Sequence, residues 1–266
     1  MRLDKYLFEN GFFSSREKAQ DAISQQTVKV NGTVVDKASK NIEEPVVIEI
    51  IDIFNRYVSR GGLKLEKAIR EFQLDFSEKR VLDIGASTGG FIDCALQHGA
   101  AFCCGVDIGT AQLSPKIKDN PKVLSIENKD FRALTLAETG NIPFDIITAD
   151  VSFISLTYLL PYFQAFSHPD TQLVLLIKPQ FEAGSSFLNK SGIVKDEKAY
   201  RIAIQKVINE NLNHQYHLQK IAISTLFELQ KNVEFLSLFN MNNLHYTPDY
   251  LALYAEIKRI KKELKK

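Results

Sequence analysis

Val81-Leu-Asp-Ile-Gly-Ala-Ser-Thr-Gly-Gly-Phe91 is the stretch that decides the fold. Val81, Leu82 and Ile84 supply a buried strand, and Gly85 with the pair Gly89-Gly90 removes side chains where the main chain turns. Phe91, Ala95 and Leu96 then open a helical period. A strand, a glycine turn and a helix start in this order let a ligand approach backbone N–H groups closely. The spacing Asp-x-Gly-x-x-x-Gly-Gly is neither the phosphate-binding lysine loop nor the dinucleotide pattern Gly-x-Gly-x-x-Gly, so phosphate binding is disfavoured.

Working outward, Phe102-Cys-Cys-Gly-Val-Asp107 reads as a second strand ending in a carboxylate, placed where open α/β sheets bind a ribose hydroxyl pair. Strand, glycine turn and acid together suggest S-adenosylmethionine; the alternative is a βαβ unit with a purely architectural turn. From Tyr57 onward strands and helices alternate, which implies an α/β domain with a mostly parallel sheet covered on both faces. Phe144-Asp-Ile-Ile-Thr-Ala-Asp150 and Leu173-Val-Leu-Leu-Ile-Lys-Pro179 are further buried strands, ending in Asp150 and Lys178. Leu218–Ser224 and Glu234–Phe239 are expected to form a late antiparallel pair, followed by a basic helix running to Lys266.

Composition sets bounds on partners and compartment. The 266 residues suffice for one large domain and a small one, and 45% hydrophobic residues is ordinary for a globular protein. The net charge of +1 gives no bulk electrostatic argument for nucleic acid, so such a partner has to be read from the distribution of basic groups. Met1-Arg-Leu-Asp-Lys-Tyr-Leu7 lacks a signal-peptide pattern and the longest apolar runs are too short to span a bilayer, so a cytoplasmic protein without a membrane partner is expected. Cys94, Cys103 and Cys104 have no metal-ligand spacing; buried thiols and no metal are expected.

Residues 1–56 have a different grammar. Leu3, Tyr6 and Leu7 share a helical face before Gly11, and Ser14 followed by Glu17 is a capping-box signature for a second helix through Ala19, Ala22 and Ile23. Val28-Lys-Val-Asn-Gly-Thr-Val-Val35 is a hairpin pattern, since Asn-Gly favours the positive φ angles of a tight turn. Val46–Ile51 supplies another strand. Arg2-Leu-Asp-Lys-Tyr-Leu, Ser15-Arg-Glu-Lys-Ala and Val28-Lys-Val-Asn-Gly resemble the α+β alpha-L RNA-binding domain of the ribosomal protein S-four type. That resemblance implies RNA contacts from Arg2, Lys5, Ser14, Arg16, Lys18 and Lys29, mostly to phosphates and hence salt-sensitive.

Charged residues that end apolar strands cost desolvation unless they are paired or face a cleft, which singles out Asp150 and Lys178. Ser59-Arg-Gly-Gly-Leu-Lys64, Asp83-Ile-Gly-Ala-Ser-Thr-Gly-Gly-Phe91, Asp150-Val-Ser-Phe-Ile-Ser-Leu156, Lys178-Pro-Gln-Phe-Glu-Ala-Gly184 and Gly192-Ile-Val-Lys-Asp196 resemble the TlyA (hemolysin A) family. Its members are S-adenosylmethionine-dependent ribosomal RNA 2′-O-methyltransferases. The resemblance implies a Rossmann-like methyltransferase sheet of the FtsJ type over 57–266, behind the RNA-binding domain and linker of 1–56. It implies a catalytic set Lys64, Asp150, Lys178 and Glu234 and an RNA contact at Arg60. Asp83, Gly85, Ser87, Gly89, Phe91, Asp107 and Asp130 are the implied cofactor contacts, and ribosomal RNA or ribosomal subunits, with cytidine as target, the implied partners. A ribose 2′-hydroxyl is a weak nucleophile that must be oriented and must lose its proton. Lys178 is expected to take that proton, with Lys64 or burial lowering its pKa. The family pattern places a Ser-Pro and two glycines before its Asn-x-Glu-Phe motif, whereas Ser224–Asn232 contains no glycine. That departure motivates the alternative of an RNA-binding or ribosome-assembly factor with little or no activity. A membrane-active hemolysin is disfavoured because no long amphipathic segment is directed to a membrane.

Overall fold

Leu3 and Leu7 are fully buried on one side of α1 (Leu3–Glu9), which Gly11 ends with a φ of 75°. In the computed structural model, which describes residues 1–13, 16–24, 27–43, 45–50, 56–225, 231–244 and 246–264, contacts divide the chain into the units Met1–Arg56 and Tyr57–Lys266. In the first unit α1 packs on α2 (Arg16–Ser24). β1 (Val28–Val30) and β2 (Thr33–Val34) form the hairpin through Asn31 and Gly32, at φ 51° and 76°, and β3 (Ile48–Ile50) pairs antiparallel with the other side of β1. Leu3, Leu7, Ala19, Ile23, Val28 and Val35 make its core. Ser14, with its capping box, and Ile51 lie outside the described residues.

The second unit runs α3 (Gly61–Phe72), β4 (Arg80–Ile84), α4 (Gly90–Gln97), β5 (Phe102–Val106), α5 (Pro115–Lys118), β6 (Val123–Ile126), β7 (Phe144–Ala149), β8 (Ser167–Ile177), α6 (Pro179–Glu182), α7 (Lys198–Asn213), β9 (His217–Ile223), β10 (Phe235–Asn240) and α8 (Tyr250–Glu263). Its seven strands lie in the order β6-β5-β4-β7-β8-β10-β9, with β10 antiparallel to both neighbours and the pairs from β6 to β8 parallel. Successive strand residues face opposite sides. Val81, Cys103 and Val174 therefore join α3 and α4 in one core, while Leu82, Cys104 and Leu175 join α7 in the other. All three cysteines are buried and free.

Two features of this topology position the site. The chain leaves β4 toward β5 and β6 and returns to β7 on the other side, so a crevice opens at the strand ends between β4 and β7. β10 inserts between β8 and β9 in reverse, and Phe235 pairs with Ile177. The start of β10, with Glu234 before it, is thereby set beside the end of β8, with Lys178 after it. β8 begins ahead of its apolar run, at Ser167; the polar Ser167–Gln172 stretch joins β7 through an irregular register and carries no periodic signal.

Candidate functional site

Four charged side chains meet at this edge. Lys64 comes from the first turns of α3, where Gly90 lets α4 approach α3: a Cβ on Gly90 would run into Ser59 Oγ and the Gly62 nitrogen. The Lys64 Nζ lies 3.1 Å from Asp150 Oδ2 and 2.8 Å from Glu234 Oε2. The Lys178 Nζ lies 2.6 Å from Asp150 Oδ1 and donates to Ser152 Oγ at 2.8 Å. Asp150 thus bridges two lysines, and the side chains are only 8–19% exposed. Burial alone would raise the Asp150 carboxyl, but Lys64 and Lys178 override it and hold the group below the usual carboxylate range. For Lys64 burial works against the charge, and Asp150 and Glu234 outweigh it, so its ammonium is held above the usual lysine range.

Two cavities flank this cluster and share Gly85, Ser87, Asp150 and Ser152. The smaller, about 240 Å³, is walled by Asp83, Gly90, Phe91 and Lys178 among others. The larger, about 600 Å³, has Ile108, Phe131, Val151 and Ile154 on its walls, with Asp107 and Asp130. Gly85, at φ 79°, permits the close approach: a Cβ there would stand 3.1 Å from Val151 Cγ1 and 3.3 Å from the Asp150 carbonyl oxygen. Asp83 is 2% exposed, and its Oδ1 accepts from Thr148 Oγ1 at 2.7 Å. Burial pushes its carboxyl up to about 7, only partly countered by Thr148. A bare glycine turn, an apolar cleft with acids on its wall and a buried acid short of a cation fit a sulfonium nucleoside carrying an amino-acid tail.

The other expected cofactor contacts divide. Ser87 and Phe91 line the smaller cavity, whereas Gly89 lines neither; a side chain there would run into Leu113 and Ile117, so its bareness serves packing. Asp107 accepts from the backbone N–H groups of Ser87 at 2.8 Å and Gly109 at 2.7 Å, tying both turns together at the cavity wall. The Asp130 carboxylate is held by Arg132 through Nε at 3.0 Å and Nη2 at 2.6 Å. Sequence reasoning missed Ser152, Thr148 and Phe153. Phe153 has a φ of 65°, is 93% exposed and lines the larger cavity. Neutral side chains in or after a strand carry no charge signal, and only for Ser152 and Phe153 could the quoted motif that starts at Asp150 have drawn notice.

In the first unit, Arg2 grips the fully buried Asp4 carboxylate through Nε and Nη2, both at 3.0 Å, and Arg16 Nε and Gln20 Nε2 reach it at 3.0 Å and 2.6 Å. The two arginine side chains stay nearly half exposed. Lys5 and Lys29 pair loosely with Glu9 and Glu49, each at 3.6 Å. Lys18 lies on α2, but its side chain and the whole of Ser14 fall outside the described residues; the exposed Arg60 caps α3 in the second unit. Sequence reasoning passed over Asp4, which organises both arginines. Among the described residues no group of three His, Cys, Asp or Glu is placed to hold a metal ion, and no helix is long and apolar enough to cross a membrane.

Residues 57–241 match the FtsJ-like methyltransferase family and residues 1–47 the S4 domain. A provisionally named rRNA methyltransferase, YqxC of Bacillus subtilis, is 40% identical over 88% of this chain and 84% of its own length. The 16S/23S rRNA (cytidine-2′-O)-methyltransferase TlyA of Mycobacterium tuberculosis is 32% identical over 88% of this chain and 87% of its own. A solved structure of a provisionally named hemolysin from Streptococcus thermophilus has a TM-score of 0.77 at 32% identity, covering 100% of this chain and 98% of that one.

Proposed function

This chain belongs to the FtsJ-like methyltransferase family, with an S4 domain ahead of the catalytic domain, and from that premise we propose that it methylates the ribose 2′-oxygen of cytidine in ribosomal RNA in the cytoplasm, using S-adenosylmethionine. The observation that carries the reading is the lysine–aspartate–lysine–glutamate cluster at the junction of the two cavities. The cofactor, when bound, supplies an electrophilic methyl group on a sulfonium centre. Asp83, which lines the smaller cavity, would hold its amino-acid end, and Asp107, at the wall of the larger one, would hold the ribose hydroxyls.

The 2′-hydroxyl is received between Lys178 and the shared cavity floor. Lys178 acts as the general base that takes the hydroxyl proton and releases it to water after the transfer. Asp150 and Ser152 hold its Nζ from two sides, which fixes the direction of proton transfer. Lys64 stays an ammonium ion and with Glu234 holds the other oxygen of Asp150 in place. Arg2 and Arg16 meet RNA phosphates.

A ribosome-assembly factor without activity is the other reading, prompted by the loop without glycine. Residues 226–230 of that loop lie outside the described residues, but Glu234 after it stands in ion-pair contact with Lys64, which favours the enzyme. Purified protein is therefore expected to transfer label from S-adenosylmethionine to ribosomal subunits from cells lacking it. Lys178→Ala is expected to lower the rate about 100-fold or more while S-adenosylhomocysteine still binds; equal rates would overturn the assignment of Lys178.

A further inference from the structure

We infer that Glu182 is a positioning residue of the transferase site, a clamp that docks the loop after β7 onto the segment after β8; the inference rests on the function proposed above. Between Asp150 and Leu156 the chain has no strand or helix to hold it, yet this loop supplies Ser152 to Lys178 and walls the larger cavity with Val151, Phe153 and Ile154. It meets the segment 178–182 at three successive points. Lys178 Nζ donates to Ser152 Oγ at 2.8 Å, the Phe181 and Phe153 rings lie 5.5 Å apart at 50°, and Glu182 closes the far end.

The last point is the strongest. The Glu182 side chain is 1% exposed. Its Oε1 accepts from the Leu156 N–H at 2.7 Å and its Oε2 from Ser155 Oγ at 2.5 Å. Lys206, reaching in from α7, places its Nζ 3.3 Å from Glu182 Oε2 and 3.1 Å from Ser155 Oγ. A carboxylate this buried is costly unless donors surround it. Here two of the three donors belong to the loop that carries the Lys178 partner and the third, Lys206, to α7, so the carboxylate couples the two strand ends from which Asp150 and Lys178 project. An apolar residue of similar size would fill the same space but leave the Leu156 N–H and the Ser155 hydroxyl without their acceptor.

Glu182 does not reach the cavities, so its effect on chemistry passes through the loop. With the clamp removed, Ser152 and Phe153 lose their fixed position, and a misplacement of about 1 Å at a reacting group costs up to about 100-fold in rate. Glu182→Ala is expected to lower kcat about 10- to 100-fold with the KM for RNA little changed. Glu182→Gln keeps an acceptor for Leu156 N–H and a polar partner for Ser155, and is expected to restore most of kcat.

Hydrogen exchange, measured on the same full-length proteins, reads the clamp without any methyl transfer. Amides of residues 151–156 should exchange faster in Glu182→Ala, with those of β7, β8 and β10 unchanged, and Glu182→Gln should resemble wild type. A wild-type kcat in Glu182→Ala, unchanged exchange in the loop, or faster exchange across the whole sheet would each overturn the proposal, the last by making Glu182 a general stabiliser. If wild-type protein transfers no methyl group, the functional reading fails; the exchange pattern still decides whether the clamp exists.

Discussion

Replacing Asp83 with asparagine tests whether the buried acid behind the glycine turn is held short of a cation until the cofactor arrives. Asp83 is 2% exposed, its one donor among the described residues is Thr148 Oγ1, and burial raises its carboxyl from 3.8 to about 7. Ionising a group so displaced costs on the order of 4 kcal/mol of folding stability. The folded value lies above the unfolded one, so the cost is absent below about pH 4, grows as the pH rises toward 7 and is complete above it. The replacement amide would accept the same Thr148 bond without titrating, and any cost of burying it does not change with pH. In urea unfolding of both proteins, the gap should therefore shift in favour of Asp83→Asn by on the order of 4 kcal/mol between pH 4 and 8. The ligand gives the converse. A cationic amino group placed beside Asp83 selects the ionised form, so wild-type affinity for S-adenosylhomocysteine should rise about tenfold from pH 6 to 8, and the variant should bind weakly with a flat profile. A gap independent of pH, or parallel binding profiles, would refute the reasoning.

Gly90→Ala forces a Cβ against Ser59 Oγ and the Gly62 backbone; separating α3 from α4 should cost about 1–3 kcal/mol, seen as a lowered melting temperature together with weaker S-adenosylhomocysteine binding. In the first unit, Arg16→Ala should weaken RNA binding evenly across sequences and reduce the slope of log affinity against log salt by about one phosphate contact. An unchanged slope in a filter-binding titration would remove Arg16 from the interface.

Legibility in the sequence follows the kind of force involved. The crevice was readable because the Val81–Phe91 segment combines an apolar run with glycines at φ 79° and 86°, and local patterning reports both features. Asp150 and Lys178 stood out as charges at the ends of apolar strands. Their pairing with Lys64 and Glu234 depends on β10 inserting in reverse between β8 and β9, a long-range register that periodicity does not carry; family resemblance supplied those two residues. The residue types set Lys64 as a neighbouring cation of Lys178 against Asp150 and Glu234, which pull the other way and hold the lysines; what they do not give is the geometry, in which the two oxygens of Asp150 each take one lysine. Glycine in such a turn is ambiguous between ligand approach and packing, and at Gly89 the space a side chain would take is occupied by Leu113 and Ile117. Asp4 and Glu182 were invisible as organising groups, since an acid among polar neighbours reads as solvated until its burial is known.

The most direct test is to map the methyl group itself, in ribosomal RNA from subunits of cells lacking this protein after incubation with S-adenosylmethionine and the wild-type chain or Lys178→Ala. The account predicts an alkali-resistant linkage at a cytidine 2′-oxygen that appears with wild type and not with Lys178→Ala. Label on a base, or label at the 2′-oxygen that persists undiminished in Lys178→Ala, would contradict it.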